Sequence, residues 1–186
     1  MAKLIYITNV SLDGYIEDEQ GDFGWTEPDD EQFAFVTDLI RPVGTDLYGR
    51  RLYESMAVWE TDPSFAARSE PFAEFSRVWQ DADKVVYSTT LESVPTARTE
   101  IVRLFDPEAV RAMKDAATED LMIGGADLAA QAFRARLVDE IHLFVGPAIV
   151  GGGKPGLPSD VRLDLELLDD RRFANGVVYL CHRVAG

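Results

Sequence analysis

Three segments of the chain end an apolar, strand-like run in residues suited to holding an anion. They are Leu47-Tyr48-Gly49-Arg50-Arg51, Val86-Tyr87-Ser88-Thr89-Thr90 and Met122-Ile123-Gly124-Gly125-Ala126-Asp127. In open α/β sheets, ligands settle beyond the C-terminal ends of the strands. The first and third segments run into helical patterns, where free N–H groups and the helix dipole favour negative charge. Glycine there lets the backbone approach a phosphate without a side chain intervening. Arg50 and Arg51 add cationic charge, and Ser88 and Thr89 add hydroxyl donors. The set suits a ligand with several phosphates, such as a phosphorylated dinucleotide. The plainer alternative is that the glycines are helix-packing turns and the arginines are solvated.

Other residues invite chemistry less strongly. Asp29, Asp30 and Glu31 could serve as a general acid or substrate anchor, against the alternative of a solvated loop and helix start. Trp25, Phe33 and Trp59 could stack on a flat heterocycle, although aromatic residues at helical spacing equally fit a core. Gly151-Gly152-Gly153-Lys154-Pro155-Gly156 satisfies the spacing of a dinucleotide fingerprint, but Pro155 and Pro158 forbid the helix that must follow. It reads as a turn. His142 and His182 stand in apolar strands with no second histidine or cysteine at ligand spacing, and Cys181 lies between Leu180 and His182. These read as structural residues, and no metal is expected.

The elements that must position the three segments follow from the pattern. Lys3 to Val10 reads as a buried strand closed by a turn at Ser11-Leu12-Asp13-Gly14, with an acidic loop from Glu17 to Glu31. A helix follows, acidic in its first turn, apolar at Phe33, Val36 and Ile40, and ended by Arg41-Pro42. Thr45–Tyr48 is a strand, and a helix opens at Gly49. Pro71–Trp79 is an amphipathic helix, Lys84–Ser88 and Glu100–Leu104 are strands, and Asp106-Pro107 caps a helix to about Ala117. Leu121–Ile123 is a strand and Asp127–Leu137 a helix. Beyond it, Asp139–Val150, Arg162–Leu168 and Val177–Val184 are strand-like without helices between them. Strand–helix alternation followed by strands alone predicts an α/β fold, a mostly parallel sheet with antiparallel C-terminal strands.

Composition bounds the rest. At 186 residues, with 46% hydrophobic and 27% charged residues, the chain is expected to form one domain over residues 1–186. A net charge of -15 argues against nucleic acid and anionic membrane as partners. No apolar run approaches the roughly 18 residues of a membrane span. The start, Met1-Ala2-Lys3 before Leu4-Ile5-Tyr6-Ile7, is too short and strand-like for a signal peptide. A single cysteine excludes an internal disulfide framework and fits a reducing, cytoplasmic location.

In their order, these segments resemble the dihydrofolate reductase fold, and more closely the stand-alone relatives of the C-terminal reductase domain of the bifunctional riboflavin-biosynthesis deaminase-reductase. The pieces are Ser11-Leu12-Asp13-Gly14, Tyr48-Gly49-Arg50-Arg51-Leu52-Tyr53-Glu54-Ser55, Val86-Tyr87-Ser88-Thr89, Ile123-Gly124-Gly125-Ala126-Asp127-Leu128, and Val138 to Leu143 followed by Pro147 to Gly153. The resemblance implies an NADPH-dependent reductase of a small heterocyclic (pyrimidine or pterin-like) or carbonyl substrate, akin to 5-amino-6-(5-phosphoribosylamino)uracil reductase. It implies that Gly49, Arg50, Arg51, Ser88 and Thr89 meet the adenosine 2′-phosphate and pyrophosphate. Gly124, Gly125, Ala126, Asp127 and Leu128 would form the loop and helix terminus under the pyrophosphate, with Asn9 and Ile16 near the nicotinamide. Substrate would lie between the Asp13 turn and the first long helix, making Asp13, Asp30 and Glu31 the catalytic candidates.

The chain departs from the family pattern at Ala126, in place of a third glycine, at Asp127, where a folate reductase can carry a basic residue, and at two places that bear on substrate. Tyr15 stands where riboflavin-type reductases usually carry lysine, and the first long helix reads Phe33-Ala34-Phe35-Val36 where folate reductases place a carboxylate. These departures keep open a non-catalytic nucleotide- or pterin-binding module on the same fold. An assembly role is a third alternative, with a strand such as Val177–Val184 pairing between subunits. A homodimer is the expected assembly, since relatives of this fold often form dimers.

Overall fold

The computed structural model describes residues 2–26 and 28–185. Met1, Glu27 and Gly186 belong to the expected N-terminal lead, acidic loop and domain range, and lie outside the described residues.

An eight-stranded sheet forms the middle layer. Its strands are β1 (Leu4–Val10), β3 (Val43–Gly49), β4 (Asp83–Tyr87), β5 (Thr99–Val102), β6 (Asp120–Gly124), β7 (Glu140–Val145), β9 (Leu165–Arg172) and β10 (Val178–Val184). They lie in the order β5-β4-β3-β6-β1-β7-β10-β9. The first six run parallel, while β10 is antiparallel to both β7 and β9. This is the α/β arrangement the sequence predicts. A second, two-stranded sheet joins β2 (Tyr15–Glu17) to β8 (Lys154–Pro155).

Helices cover both faces, which is why the central strands are apolar on both sides. On one face, α6 (Pro107–Ala116) and α7 (Ala126–Arg134) bury Val110, Leu128, Ala129 and Phe133 against Leu4, Tyr6, Leu47 and Ile123. On the other, α1 (Asp30–Ile40), α2 (Arg50–Met56) and α5 (Glu70–Asp81) bury Phe33, Ile40, Tyr53, Phe75 and Trp79 against Ile5, Tyr48 and Val86. Short helical turns α3 (Val58–Thr61) and α4 (Pro63–Ala66) link α2 to α5. Local chemistry sets the helix starts. Asp29, Asp62, Ser69 and Asp106 each accept a first-turn N–H, and Pro71 and Pro107 stand where no intrahelical donor is needed.

Several boundaries differ from the sequence reading, each for a physical reason. β7 stops at Val145 rather than Val150, because Gly146-Pro147 follows and proline has no N–H for the ladder. The Val150 and Gly151 amides go instead to the Asp13 carboxylate, at 3.2 and 2.8 Å. The penultimate strand runs to Arg172, with Asp169 to Arg172 included, because β9 is exposed along its whole length and tolerates charge on both faces. β10 is therefore an interior strand. The expected use of Val177–Val184 as a pairing edge is thus incorrect; the edges of the large sheet are β5 and β9.

Candidate functional site

The C-terminal ends of β3, β4 and β6 come together as the sequence predicts, because β6 inserts beside β3 and β4 lies on its other side. Register places Tyr48 opposite Gly124 and Gly49 opposite Tyr87. Gly125 adopts φ +92 and ψ 120, a conformation closed to most L-residues, and thereby turns the chain from β6 into α7. A Cβ at Gly125 would stand 3.7 Å from the Gly49 nitrogen, so two bare backbone segments face each other across the strand ends. A Cβ on Gly124 would meet Leu52 Cδ2, which fixes that glycine by close packing.

A cavity of about 420 Å³ opens beside this turn. Gly49, Arg50, Ser88, Thr89, Asp127 and Leu128 line it, six of the residues singled out from sequence. The helix that enters it is uncapped by any side chain. The first backbone bond inside α7 runs from the Ala129 N–H to the Gly125 carbonyl, leaving the Ala126, Asp127 and Leu128 N–H groups ahead of it. α2 likewise starts from Gly49 without a side-chain cap. Free donors, helix dipole and bare glycine backbone make an anion cradle.

Charged groups border the cradle. Arg50 Nε donates to Glu54 at 2.8 Å and its Nη1 to Thr90 Oγ1 at 2.8 Å, which holds the guanidinium at the rim. Arg51 is exposed and makes no side-chain hydrogen bond or ion pair among the described residues. Ser88 Oγ accepts from the Thr90 and Leu91 amides, at 3.3 and 3.0 Å, so its own proton remains available. Asp127 introduces a negative charge, and Lys154 Nζ answers it at 2.6 Å.

Sequence reasoning missed Arg103, whose Nη1 donates to the carbonyls of Ser88 and Leu91 at 3.0 and 2.6 Å and which also lines the cavity. The sequence pattern runs the strand on to Leu104 and so places Arg103 inside it; β5 ends at Val102, which leaves Arg103 directly beyond β5 as Arg50 lies beyond β3.

The remaining candidates sit elsewhere. Asn9 is exposed near the end of β1, opposite Phe144, and Ile16 is half-buried in β2. A second cavity, of about 360 Å³, lies beneath the β2–β8 ribbon. Val10, Leu12, Leu143, Val145, Pro155 and Leu157 make it largely apolar, and Asp13 is the carboxyl group in its lining. The ribbon depends on Gly153 at φ +133, where a Cβ would overlap the Glu17 carbonyl, so the glycine-rich segment is a turn built against β2.

Asp13 accepts from Ser11 Oγ at 2.7 Å as well as from the two amides. The Ser11 hydroxyl first, and the amides with it, hold its carboxyl below the usual range. It is an anchor for the loop at 150–151. Asp13→Ala is expected to release that loop, read as faster hydrogen exchange at the Val150 and Gly151 amides with β1 protection unchanged.

Asp29 caps α1 through the Gln32 amide, Asp30 is exposed, and Glu31 pairs with Arg171 at 2.6 Å. None of the three lines either cavity. Phe33 and Trp59 pack against Phe72 and Phe75 and are core residues, while Trp25 lies against Gly146.

Comparison with known proteins agrees with this fold. The family described as the RibD C-terminal domain matches residues 2–179. The protein named uncharacterized protein YyaP of Bacillus subtilis (strain 168) is 28% identical over 189 residues, covering 99% of this chain and 96% of its own. A putative riboflavin biosynthesis protein from Shewanella sp. PV-4 has a similar fold, with TM-score 0.76, 20% identity and full coverage of both chains. A Thermotoga maritima diaminohydroxyphosphoribosylaminopyrimidine deaminase/5-amino-6-(5-phosphoribosylamino)uracil reductase aligns at TM-score 0.66 and 18% identity, over 99% of this chain and 57% of its own. Among the described residues, no helix is long and apolar enough to cross a membrane.

Proposed function

The chain belongs to the RibD C-terminal domain family, a family of reductase type, and on that premise we propose that it is an NADPH-dependent reductase of a small heterocyclic or carbonyl compound. One observation carries the reading. The cavity at the ends of β3 and β4 adjoins an uncapped helix terminus and is lined by Gly49, Arg50, Ser88, Thr89, Asp127 and Leu128. The bare backbone at Gly49 and Gly125 suits a pyrophosphate, because neither residue carries a side chain to stand between a phosphate and the uncapped start of α7.

In this proposal the Ala126, Asp127 and Leu128 amides and the Ser88 hydroxyl bind phosphate oxygens. Arg50, Arg51 and Arg103 supply positive charge for a 2′-phosphate, and pairing of Asp127 with Lys154 removes the local charge that would oppose it. Asn9 and Ile16 flank the far end of the cofactor. Bound there, a reduced nicotinamide supplies hydride, and the protein contributes orientation and water exclusion.

Substrate occupies the cavity beneath the β2–β8 ribbon. Its lining of Val10, Leu12, Tyr15, Leu143, Val145 and Leu157 favours a flat uncharged ring or carbonyl over a phosphoribosyl group. Asp13 remains an anion and positions the loop, so the proton that completes reduction comes from solvent. The same observation favours a second reading, a binding module that holds nucleotide or pterin without turnover.

Calorimetric titration with NADPH, and separately with NADH, tests the proposal. Saturable NADPH binding is expected. The Arg50→Ala/Arg51→Ala double variant should lose roughly 1.5–3 kcal/mol of it, about tenfold or more in affinity. Equal NADPH affinity in the variant would remove these arginines from the site. Hydride loss from bound NADPH on a panel of pterins, pyrimidines and carbonyls then separates reductase from binding module.

A further inference from the structure

We propose that Glu140, His142 and Cys181 form a binding site for a divalent transition-metal ion of the zinc class, joining β7 to β10. The three residues are buried, with relative exposures of 9%, 4% and 6%. Strand pairing sets Cys181 directly opposite His142, and Glu140 is two residues before His142 on the same face of β7. Although His142 and Cys181 are 39 residues apart in sequence, the antiparallel register makes them neighbours.

Each side chain turns one atom toward a common point, where His142 Nε2 already contacts Cys181 Sγ. His142 Nδ1 is held by the Tyr179 hydroxyl at 2.8 Å, which leaves Nε2. Glu140 Oε1 is held by Lys3 Nζ at 2.9 Å, which leaves Oε2. Nε2 lies 3.7 Å from Oε2 and 3.9 Å from Cys181 Sγ, and the three ligand atoms lie within 4.8 Å of one another. The Nε2–Oε2 separation is too long for a hydrogen bond. It is near the spacing of about 3.4–3.6 Å between ligand atoms around tetrahedral zinc. Metal binding would draw Nε2 a few tenths of an ångström nearer each partner and bring Glu140 Oε2 and Cys181 Sγ, now within 4.8 Å, together by side-chain rotation, leaving the fourth position to water.

The chemistry of the set is consistent. Burial pushes the His142 imidazole down, toward the neutral form that ligates. Burial pushes the Cys181 thiol up, so binding must release its proton to solvent. The thiolate and carboxylate then balance the two charges of the ion. Tyr179 and Lys3 act as outer partners that orient the ligands. Lys3 is half-exposed, so the Glu140 end of the cluster lies nearest solvent.

Cobalt titration of the whole protein tests this. One equivalent of Co²⁺ per chain is expected to produce a thiolate-to-cobalt charge-transfer band in the near ultraviolet and four-coordinate d–d bands in the visible, both removed by Zn²⁺. Because the chain has a single cysteine, the charge-transfer band reports Cys181 alone. Cys181→Ser should abolish that band with an unchanged far-ultraviolet spectrum. Tyr179→Phe should keep the band but weaken Co²⁺ binding about tenfold to a hundredfold. Folded wild-type protein that shows no band in millimolar Co²⁺, or binds Co²⁺ as tightly after Cys181→Ser, would overturn the site.

Discussion

Gly125→Val is expected to lower NADPH affinity about a hundredfold while the sheet remains folded. Gly125 sits at φ +92, and a β-branched residue there costs on the order of 1–3 kcal/mol of stability. The larger effect is on binding. In the proposed complex the new side chain, whose Cβ would stand 3.7 Å from the Gly49 nitrogen, competes with phosphate for the first amides of α7. Losing two charge-assisted hydrogen bonds amounts to roughly 3 kcal/mol or more. Gly125→Ala should fall between the two proteins. Circular dichroism and urea midpoints establish that the variants are folded, and calorimetry reads the affinity. A Gly125→Val variant that binds NADPH like wild type would move the phosphates away from α7.

Asp46→Asn is expected to raise stability at pH 8 by up to about 4 kcal/mol and to change it little at pH 4. Asp46 is buried in β3, where its carboxylate accepts from the Tyr48 hydroxyl at 3.0 Å. Tyr48 in turn accepts from Trp79 Nε1 at 3.1 Å. Burial pushes the Asp46 carboxyl up to about 7; the Tyr48 hydroxyl and the charge of Lys84 oppose that rise.

A raised carboxyl group means that the folded state holds a proton the unfolded chain has released. Stability therefore falls as pH rises from about 4 to about 7 and is flat above, the reverse of an ordinary salt-bridged aspartate. The gap between 3.8 and about 7 corresponds to on the order of 4 kcal/mol. Asparagine keeps the acceptor for Tyr48 and has no charge to bury. Urea unfolding of both proteins at pH 5 and pH 8 checks the sign; a stability difference between them that does not grow with pH would contradict this account of Asp46.

The sequence was most legible where one signal repeated. Gly49-Arg50, Ser88-Thr89 and Gly124 to Leu128 each follow a buried strand, so a parallel sheet brings them to one edge wherever its strands fall. Arg103 stayed hidden because no glycine or hydroxyl beside it marks the end of β5 at Val102, so the pattern continues the strand to Leu104. Tyr15–Glu17 and Lys154–Pro155 are too short to show a period, so the ribbon that roofs the apolar cavity stayed hidden. The edge strand was misplaced because Leu165 to Arg172 carries no alternating apolar face, which an exposed edge does not require. The cluster of Glu140, His142 and Cys181 was invisible for a different reason. Its members meet only through the register of β7 and β10, and no local spacing encodes that.

Assembly follows a similar logic. β9 and β5 are the edge strands of the large sheet, and β9 exposes Leu165, Leu167 and Leu168 alongside charged residues. A homodimer is proposed on the family premise, and sedimentation at several protein concentrations reads it directly.

The central claim is that nicotinamide dinucleotide binds at the C-terminal ends of β3, β4 and β6. Amide chemical shifts of isotopically labelled protein, followed during titration with NADPH, test it residue by residue. Saturable shifts are expected at Gly49, Ser88, Gly125, Ala126 and Leu128, with the amides around the 390 Å³ cavity at the opposite, N-terminal ends of the same strands, Val43 to Thr45 and Ala116 to Glu119, unmoved. Shifts confined to those N-terminal ends, or none at saturating NADPH, would contradict it.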